Sequence, residues 1–411
     1  MIEILKLPIP AADQKDADLN LRQLAEYSVK KVLQMKPGGL AKIEAELIKY
    51  SEPNEDLTAF KKRHRHYFVV GMGGSILGVQ VFADVFQKKN FEFIDNVDAF
   101  HFEHVLTNIA NLEEVGWIFT SKSGATIETL AALDFISQYL TEKSVSVQEH
   151  TIVITETKNS DLHLWAVAQK VLLFEVPLAV GGRFSVLTSV GLVPALLMGL
   201  DTEKIQTGAL KAYKDQESLI VLTEAILLSF QREEWVSVLW SYSSRLKYFG
   251  HWWQQLWGES LAKKVDLQGK PAPRVSTPLP LVGATDQHST LQQIMEGARD
   301  KMIIFVRSDD AEKGQISLKK SQLKPTNVLE GKNLGVLLKA EAEAIQQALS
   351  EVGVSNLTIK VPDLREENLG QLIMFFQLLV MSLGEALNIN AFDQPGVELG
   401  KVMAKNILST K

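Results

Sequence analysis

Residues 67–75 read Tyr-Phe-Val-Val-Gly-Met-Gly-Gly-Ser. An uninterrupted apolar run that stops at a glycine-rich turn is the pattern of a short strand buried on both faces. The glycines let the backbone turn sharply and let another group approach closely. A helix opening just after them would present free N–H groups to an anion. The dinucleotide spacing GxGxxG fails, because position 76 is isoleucine, and no Gly-Lys-Ser/Thr follows to make a Walker loop. By itself the turn reads more readily as a tight structural turn than as a ligand loop.

Similar runs recur on the C-terminal side: Val97–Phe102, Trp117–Thr120, Thr151–Ile154 and Val171–Phe174, with helical stretches such as Ile127–Leu140 between them. Strands alternating with helices predict an α/β fold, a parallel sheet covered by helices on both faces, with ligands at the carboxyl ends of the strands. A second set follows, with strands at Trp235–Trp240, Met302–Val306 and Leu357–Val361 and helices around Ala340–Val352 and Leu369–Leu387. Residues 238–244, VLWSYSS, end a strand as residues 69–75, VVGMGGS, do, a faint internal repeat that points to two related α/β domains.

The remaining segments complete the expected organisation. Residues 1–60 read as helical, with Leu21, Leu24, Val29, Val32 and Leu33, then Ile43, Leu47 and Ile48, at helical spacing. Residues 61–200 would form the first domain, opening on the basic run Lys61–His66, which is either an anion patch or a solvated approach to the first strand. Residues 201–217 are a polar linker, 218–387 a second domain and 388–411 a C-terminal segment with the turn FDQPGVELGK.

Composition narrows the function classes. With 46% apolar and 22% charged residues over 411, the chain can bury a large core, which excludes disorder, collagen and coiled coil as the dominant class. A net charge of −6 speaks against a general nucleic-acid binder but leaves room for a local anion site. The absence of cysteine excludes disulfides, thiolate catalysis and zinc–thiolate or iron–sulfur centres. No HExxH pair or Cys/His cluster points to a metal. The N-terminus lacks the pattern of a signal peptide. Val186–Leu200, the most apolar stretch, is shorter than the ~20 residues a membrane helix needs and contains Pro194, so it reads as a buried helix. A soluble cytoplasmic protein, without nucleic-acid or membrane partners, is expected.

Four further segments carry chemistry. Ser121-Lys122-Ser123-Gly124-Ala125-Thr126 follows a strand and opens a helix, bringing three hydroxyls, one lysine and free helix N–H groups together. That set suits a phosphate monoester, whereas a simple helix cap needs only one hydroxyl. Gly181-Gly182-Arg183-Phe184-Ser185 sets an arginine beside an apolar helix, to be paired or held for an anion. Glu259, close to Trp252, Trp253 and Trp257, is either a base in an aromatic setting or an exposed residue near a helix end. His288 follows Asp286 and Gln287 in a polar loop, as an oriented imidazole or a satisfied structural histidine.

Taken together these segments resemble the glucose-6-phosphate isomerase family. Phe392-Asp393-Gln394-Pro395-Gly396-Val397-Glu398-Leu399-Gly400-Lys401 is similar to the family's C-terminal signature, and residues 181–194, GGRFSVLTSVGLVP, to a second one. Gly73-Gly74-Ser75, the Ser121–Thr129 loop, Gln255 with Glu259, and Asp286-Gln287-His288-Ser289 occur in the family's order. The resemblance implies two sugar-isomerase (SIS) domains, each a parallel sheet flanked by helices in three layers, and interconversion of glucose 6-phosphate and fructose 6-phosphate with no metal or organic cofactor. It implies that Ser121, Lys122, Ser123 and Thr126 hold the phosphate, with Ser75 and Gln255 nearby. Glu259 would move a proton between C1 and C2, and Arg183 would stabilise the cis-enediol(ate). His288 and Lys401 would assist ring opening, and Gln394 would line the pocket. It further implies a homodimer in which His288 acts across the interface.

Three positions depart from the family's pattern without removing a proposed catalytic group. Ala125 stands where threonine is frequent, Ser189 where proline or alanine is, and Ala262 where glycine is. Two rival readings share the phosphate loop: an isomerase of another sugar phosphate such as mannose 6-phosphate, and a non-catalytic SIS module that senses a sugar phosphate. The second would not require Glu259, Arg183, His288 and Lys401 together.

Overall fold

A computed structural model of the chain describes residues 2–6, 15–35 and 55–409. The expected helical residues Ile43, Leu47 and Ile48 lie outside the described residues. Ten strands are present among the described residues: β1 (Glu3–Lys6), β2 (His66–Gly71), β3 (Phe91–Ile94), β4 (Val115–Thr120), β5 (Thr151–Thr155), β6 (Leu172–Glu175), β7 (Val236–Ser241), β8 (Thr277–Val282), β9 (Lys301–Ser308) and β10 (Ser355–Val361). They form two five-stranded sheets, ordered β3-β2-β4-β5-β6 and β1-β10-β9-β7-β8. Every pairing is parallel except that of β1 with β10. The α/β expectation holds, with helices on the sheet faces. β2, β4 and β5 are buried almost throughout, which is why they read as continuous apolar runs rather than alternating ones.

The faint repeat is a structural one. β2 and β7 each run into a 3-10 turn, Gly73–Ser75 and Ser244–Leu246, and then into a helix, Leu77–Val85 and Lys247–Leu261. Read outward from these strands, the second sheet repeats the order of the first, with β1 from the N-terminus in the place of β6.

Two expectations need correction, and one strand gives no signal in the sequence. The strand expected at Val97–Phe102 is instead the helix Ala99–Thr107, capped by the Asp98 carboxylate on the His101 N–H at 3.2 Å, and the true strand lies earlier, at Phe91–Ile94. Val97 and Phe100 are exposed, so their apolar character does not report a buried strand. The N-terminal segment is not wholly helical, since Glu3–Lys6 joins the second sheet as β1. β8, with Pro278 and Pro280, gave no strand signal, and proline in a strand is compatible with the sheet edge it occupies.

The apolar helix Glu366–Ala386 forms the centre of the core. Its length and composition would allow it to cross a bilayer, but 89% of the apolar window is buried inside the protein, so it is a core helix. Residues 202–212, in the polar stretch after the first sheet, form a helix laid against it. Gly208 and Gly370 allow that approach: a Cβ at Gly208 would sit 1.7 Å from the carbonyl oxygen of Glu367, and one at Gly370 would sit 2.0 Å from that of Ile205. The Val186–Leu200 stretch is buried as expected, in a 3-10 segment and the helix Ser189–Leu197 that contains Pro194.

Candidate active site

Parallel register sets the turns after β2, β4 and β5 side by side. Gly71 pairs with Thr120, Thr120 pairs with Ile154, and the Ser121 N–H donates to the Ile154 carbonyl at 3.1 Å. The glycines of the first turn serve close approach. A Cβ on Gly74 would lie 2.3 Å from the carbonyl carbon and oxygen of Gly182, and one on Gly73, whose φ is +53°, would lie 2.7 Å from Gln255 Nε2. The turn after β2, the Gly181–Ser185 loop and the helix Lys247–Leu261 of the second sheet therefore meet at van der Waals distance, and a side chain on Gly74 would part the first two.

Arg183 stands at this junction and is almost completely buried. Its five N–H donors are all used. Nε donates to Ser260 Oγ at 2.6 Å, Nη1 to Gln394 Oε1 at 2.7 Å and Glu259 Oε2 at 3.3 Å, and Nη2 to the carbonyls of Ala391 at 2.6 Å and Asp393 at 3.0 Å. Burial pushes its pKa down, and the Glu259 carboxylate pulls it back up. An arginine remains cationic through such a shift. Glu259 is partly exposed near the end of the helix, and Gln255, one turn earlier, donates to its other oxygen at 3.1 Å. One carboxylate oxygen thus faces a fixed cation and the other a neutral amide.

The Ser121–Thr126 loop is braced from below. Thr155 donates to the Ser121 carbonyl at 2.7 Å, and Ser121 Oγ donates to Thr126 Oγ1 at 2.9 Å. Thr126 is the N-cap of the helix Ile127–Glu142, yet its hydroxyl makes no cap bond. The simple capping role is therefore not the one it plays. Ser123 Oγ accepts only a long bond, 3.4 Å, from the Ala125 N–H. Lys122 pairs with Glu156 at 3.1 Å, and this buried carboxylate also holds Lys158 at 3.0 Å. Ser75 closes the 3-10 turn beside this loop and is buried.

His288 lies elsewhere. The helix Lys247–Leu261 runs back along β8: Gly250 abuts Pro280, and Trp257 Nε1 donates to the Ser276 carbonyl at 3.1 Å. Nine residues of helix carry Glu259 about 14 Å from Gly250 toward the start of β8, whereas His288 lies on the turn beyond its far end. One chain does not bring the two together. Asp286, two residues earlier, accepts from the Val282 N–H at 2.7 Å and from Ser289 Oγ at 2.9 Å, so it shapes the loop. Lys401 is exposed on the helix Glu398–Ser409, and Gln394 reaches Arg183 from the segment just before it.

The sequence reading did not single out Glu156, Ser260, Lys263 or Asp393. Glu156 directly follows β5 at a carboxyl edge, a usable signal. Lys263 and Asp393 are 130 residues apart and meet only through the fold.

Residues 53–411 match the family model described as phosphoglucose isomerase. The chain belongs to the phosphoglucose isomerase family. It is 34% identical over 360 residues to the glucose-6-phosphate isomerase of Campylobacter jejuni, covering 85% of this chain and 87% of that protein. Among solved structures, a hypothetical protein from Thermus thermophilus superposes with a TM-score of 0.84 at 31% identity, covering 96% of this chain and 97% of the other. A glucose-6-phosphate isomerase from Chlamydia trachomatis shares the fold at 22% identity, with a TM-score of 0.82 over 99% of this chain and 88% of the other. Phosphoglucose isomerase membership thus covers all the segments that meet at Arg183.

Proposed function

We propose that this chain interconverts glucose 6-phosphate and fructose 6-phosphate, in glycolysis and gluconeogenesis, with Glu259 as the base. The observation that carries the reading is the Glu259 carboxylate set against an arginine whose every donor is fixed. In the open-chain aldose, Glu259 removes the proton on C2; the C–H electrons form the C1=C2 bond, and the C1 carbonyl oxygen becomes the enediolate oxygen. The O2 proton passes to O1, and the protonated Glu259 returns its proton to C1, which leaves a hydroxyl on C1 and the ketone at C2. A single carboxylate able to reach both carbons serves both steps.

The developing oxyanion needs a preorganised donor. Arg183 can supply one by exchanging the Nη1 hydrogen now given to Gln394, an acceptor on an exposed side chain. The phosphate is held by Ser121, Ser123, Thr126 and the helix N-terminus, with Lys122 drawn from Glu156 and with Ser75 and Gln255 alongside. Its binding orients the reacting carbons, which is worth more in rate than in affinity.

Ring opening needs a proton donor and acceptor, the role of His288 with Lys401. Because His288 and Glu259 lie at opposite ends of β8, the working site takes His288 of the partner subunit in a homodimer. The substrate is a cytoplasmic metabolite, and that is where the enzyme acts.

Conversion of fructose 6-phosphate, coupled to glucose-6-phosphate dehydrogenase, tests the reading. Turnover should fall about 1,000-fold in Glu259→Gln, while inorganic phosphate binds as in the wild type. Saturable sugar-phosphate binding without turnover by the wild type would replace the isomerase with a sensor.

A further inference from the structure

We infer that Lys263 is a positioning residue that joins the base to the segment closing over Arg183, so that placing Glu259 and closing residues 390–394 are one event. This rests on the functional reading above.

Lys263 follows the helix Lys247–Leu261 by two residues, and its side chain is only 6% exposed. An ammonium taken out of water is tolerated only when its three donors find acceptors. Lys263 Nζ donates to the carbonyls of Glu259, at 2.9 Å, and Asp393, and it forms an ion pair with Asp393 Oδ1 at 2.9 Å. The first acceptor is a last-turn carbonyl of the helix, where a cation is favoured by the helix dipole as well. That carbonyl belongs to the base itself.

The other two partners belong to the closing segment. The Asp393 carbonyl also accepts from Arg183 Nη2 at 3.0 Å, so one oxygen bridges the two cations. The second oxygen of the Asp393 carboxylate accepts from Asn390 Nδ2 at 3.0 Å, which fixes the turn. Gln394 follows directly and accepts from Arg183. Two cations, Arg183 and Lys263, and two carboxylates, Glu259 and Asp393, therefore form a charge-balanced knot. Without Lys263, Arg183 alone would tether the segment, and the end of the base helix would lose its cation. The phosphate loop hangs from β4 and is braced by Thr155, so it should not register the loss.

The test compares the wild type, Lys263→Met, Asp393→Asn and the double variant. It measures kcat and KM for fructose 6-phosphate, and the Kd of inorganic phosphate by titration calorimetry. Lys263→Met is expected to lower kcat about 100-fold, the scale of a misplaced catalytic group, with the phosphate Kd within about twofold. Asp393→Asn should lower kcat less, and the double variant should be no worse than Lys263→Met, because both cut the same link. A kcat for Lys263→Met within twofold of the wild type overturns the inference while leaving the isomerase reading intact. Equal losses in kcat and phosphate affinity also overturn it, since they would report a general loosening. Should Lys263→Met not fold, Asp393→Asn decides: reduced kcat at unchanged phosphate Kd supports the link, and unchanged kcat overturns it. A wild type with no turnover overturns the functional reading first and this inference with it.

Discussion

The two sheets share a strand order but treat their carboxyl edges differently. In the first sheet the turn after β4 offers Ser121, Lys122 and Ser123, beside the open N-terminus of the Thr126 helix. In the second sheet β9 ends at Ser308 and continues into Asp309 and Asp310. Asp310 turns inward, accepting from Arg245 at 2.6 Å, from the Ser308 hydroxyl and from the Leu364 N–H at 3.4 Å. Arg245 sits on the 3-10 turn that corresponds to Gly73–Ser75. Both edges pair a cation with a carboxylate of their own, Lys122 with Glu156 and Arg245 with Asp310, but only the first sets beside that pair a helix whose N-cap hydroxyl makes no cap bond. On the function proposed above, the first is the binding edge and the second a structural one.

The largest effect that can break this contrast is at Gly74. Gly74→Ala forces a Cβ to within 2.3 Å of Gly182, backbone that cannot turn aside. Overpacking of this kind costs about 1–3 kcal/mol, and the displaced loop carries Arg183. Melting temperature and kcat should both fall, and native kinetics in the Gly74→Ala variant would show that the two loops need not touch. Ser244→Ala, in the 3-10 turn of the second sheet, should leave kcat unchanged.

A smaller effect separates the two edges by ligand. Lys122→Met should raise KM for fructose 6-phosphate about tenfold, the loss of one charge-assisted contact, with melting temperature little changed. Isothermal titration with inorganic phosphate should show the same ratio. An unchanged Kd would mean that Lys122 stays with Glu156 when phosphate binds.

How far the sequence discloses this depends on the range of the interaction. The turn after β2, the Ser121–Thr126 loop and the Arg183 loop are local patterns, and each lies where its motif implied. Buried parallel strands announce themselves because both faces are apolar. β8 does not, because an edge strand can carry prolines, and the Val97–Phe102 run misled because Val97 and Phe100 face solvent. The separation of His288 from Glu259 is legible only once β8 and the helix lying along it are placed. The same holds for the meeting of Lys263 and Asp393, which no spacing rule connects.

The smallest effect concerns Asp310, and its sign follows from its surroundings. Burial pushes its pKa up, but hydrogen bonds from Arg245 and Ser308 outweigh this and hold it below the ordinary carboxylate value. A carboxylate with a depressed folded-state pKa binds its proton more readily when unfolded, near pH 4. Its stabilisation is therefore complete above that value and is lost as pH falls through the lower, folded-state pKa. Asp310→Asn should lower the melting temperature by a few degrees at pH 7, and the gap to the wild type should close progressively below about pH 4. KM for fructose 6-phosphate should not change at any pH where the protein is folded. A pH-independent gap would mean that Asp310 acts through shape alone. A raised KM would mean that the second edge takes part in substrate binding, and that the carboxylate at Asp310 does more there than close a structural edge.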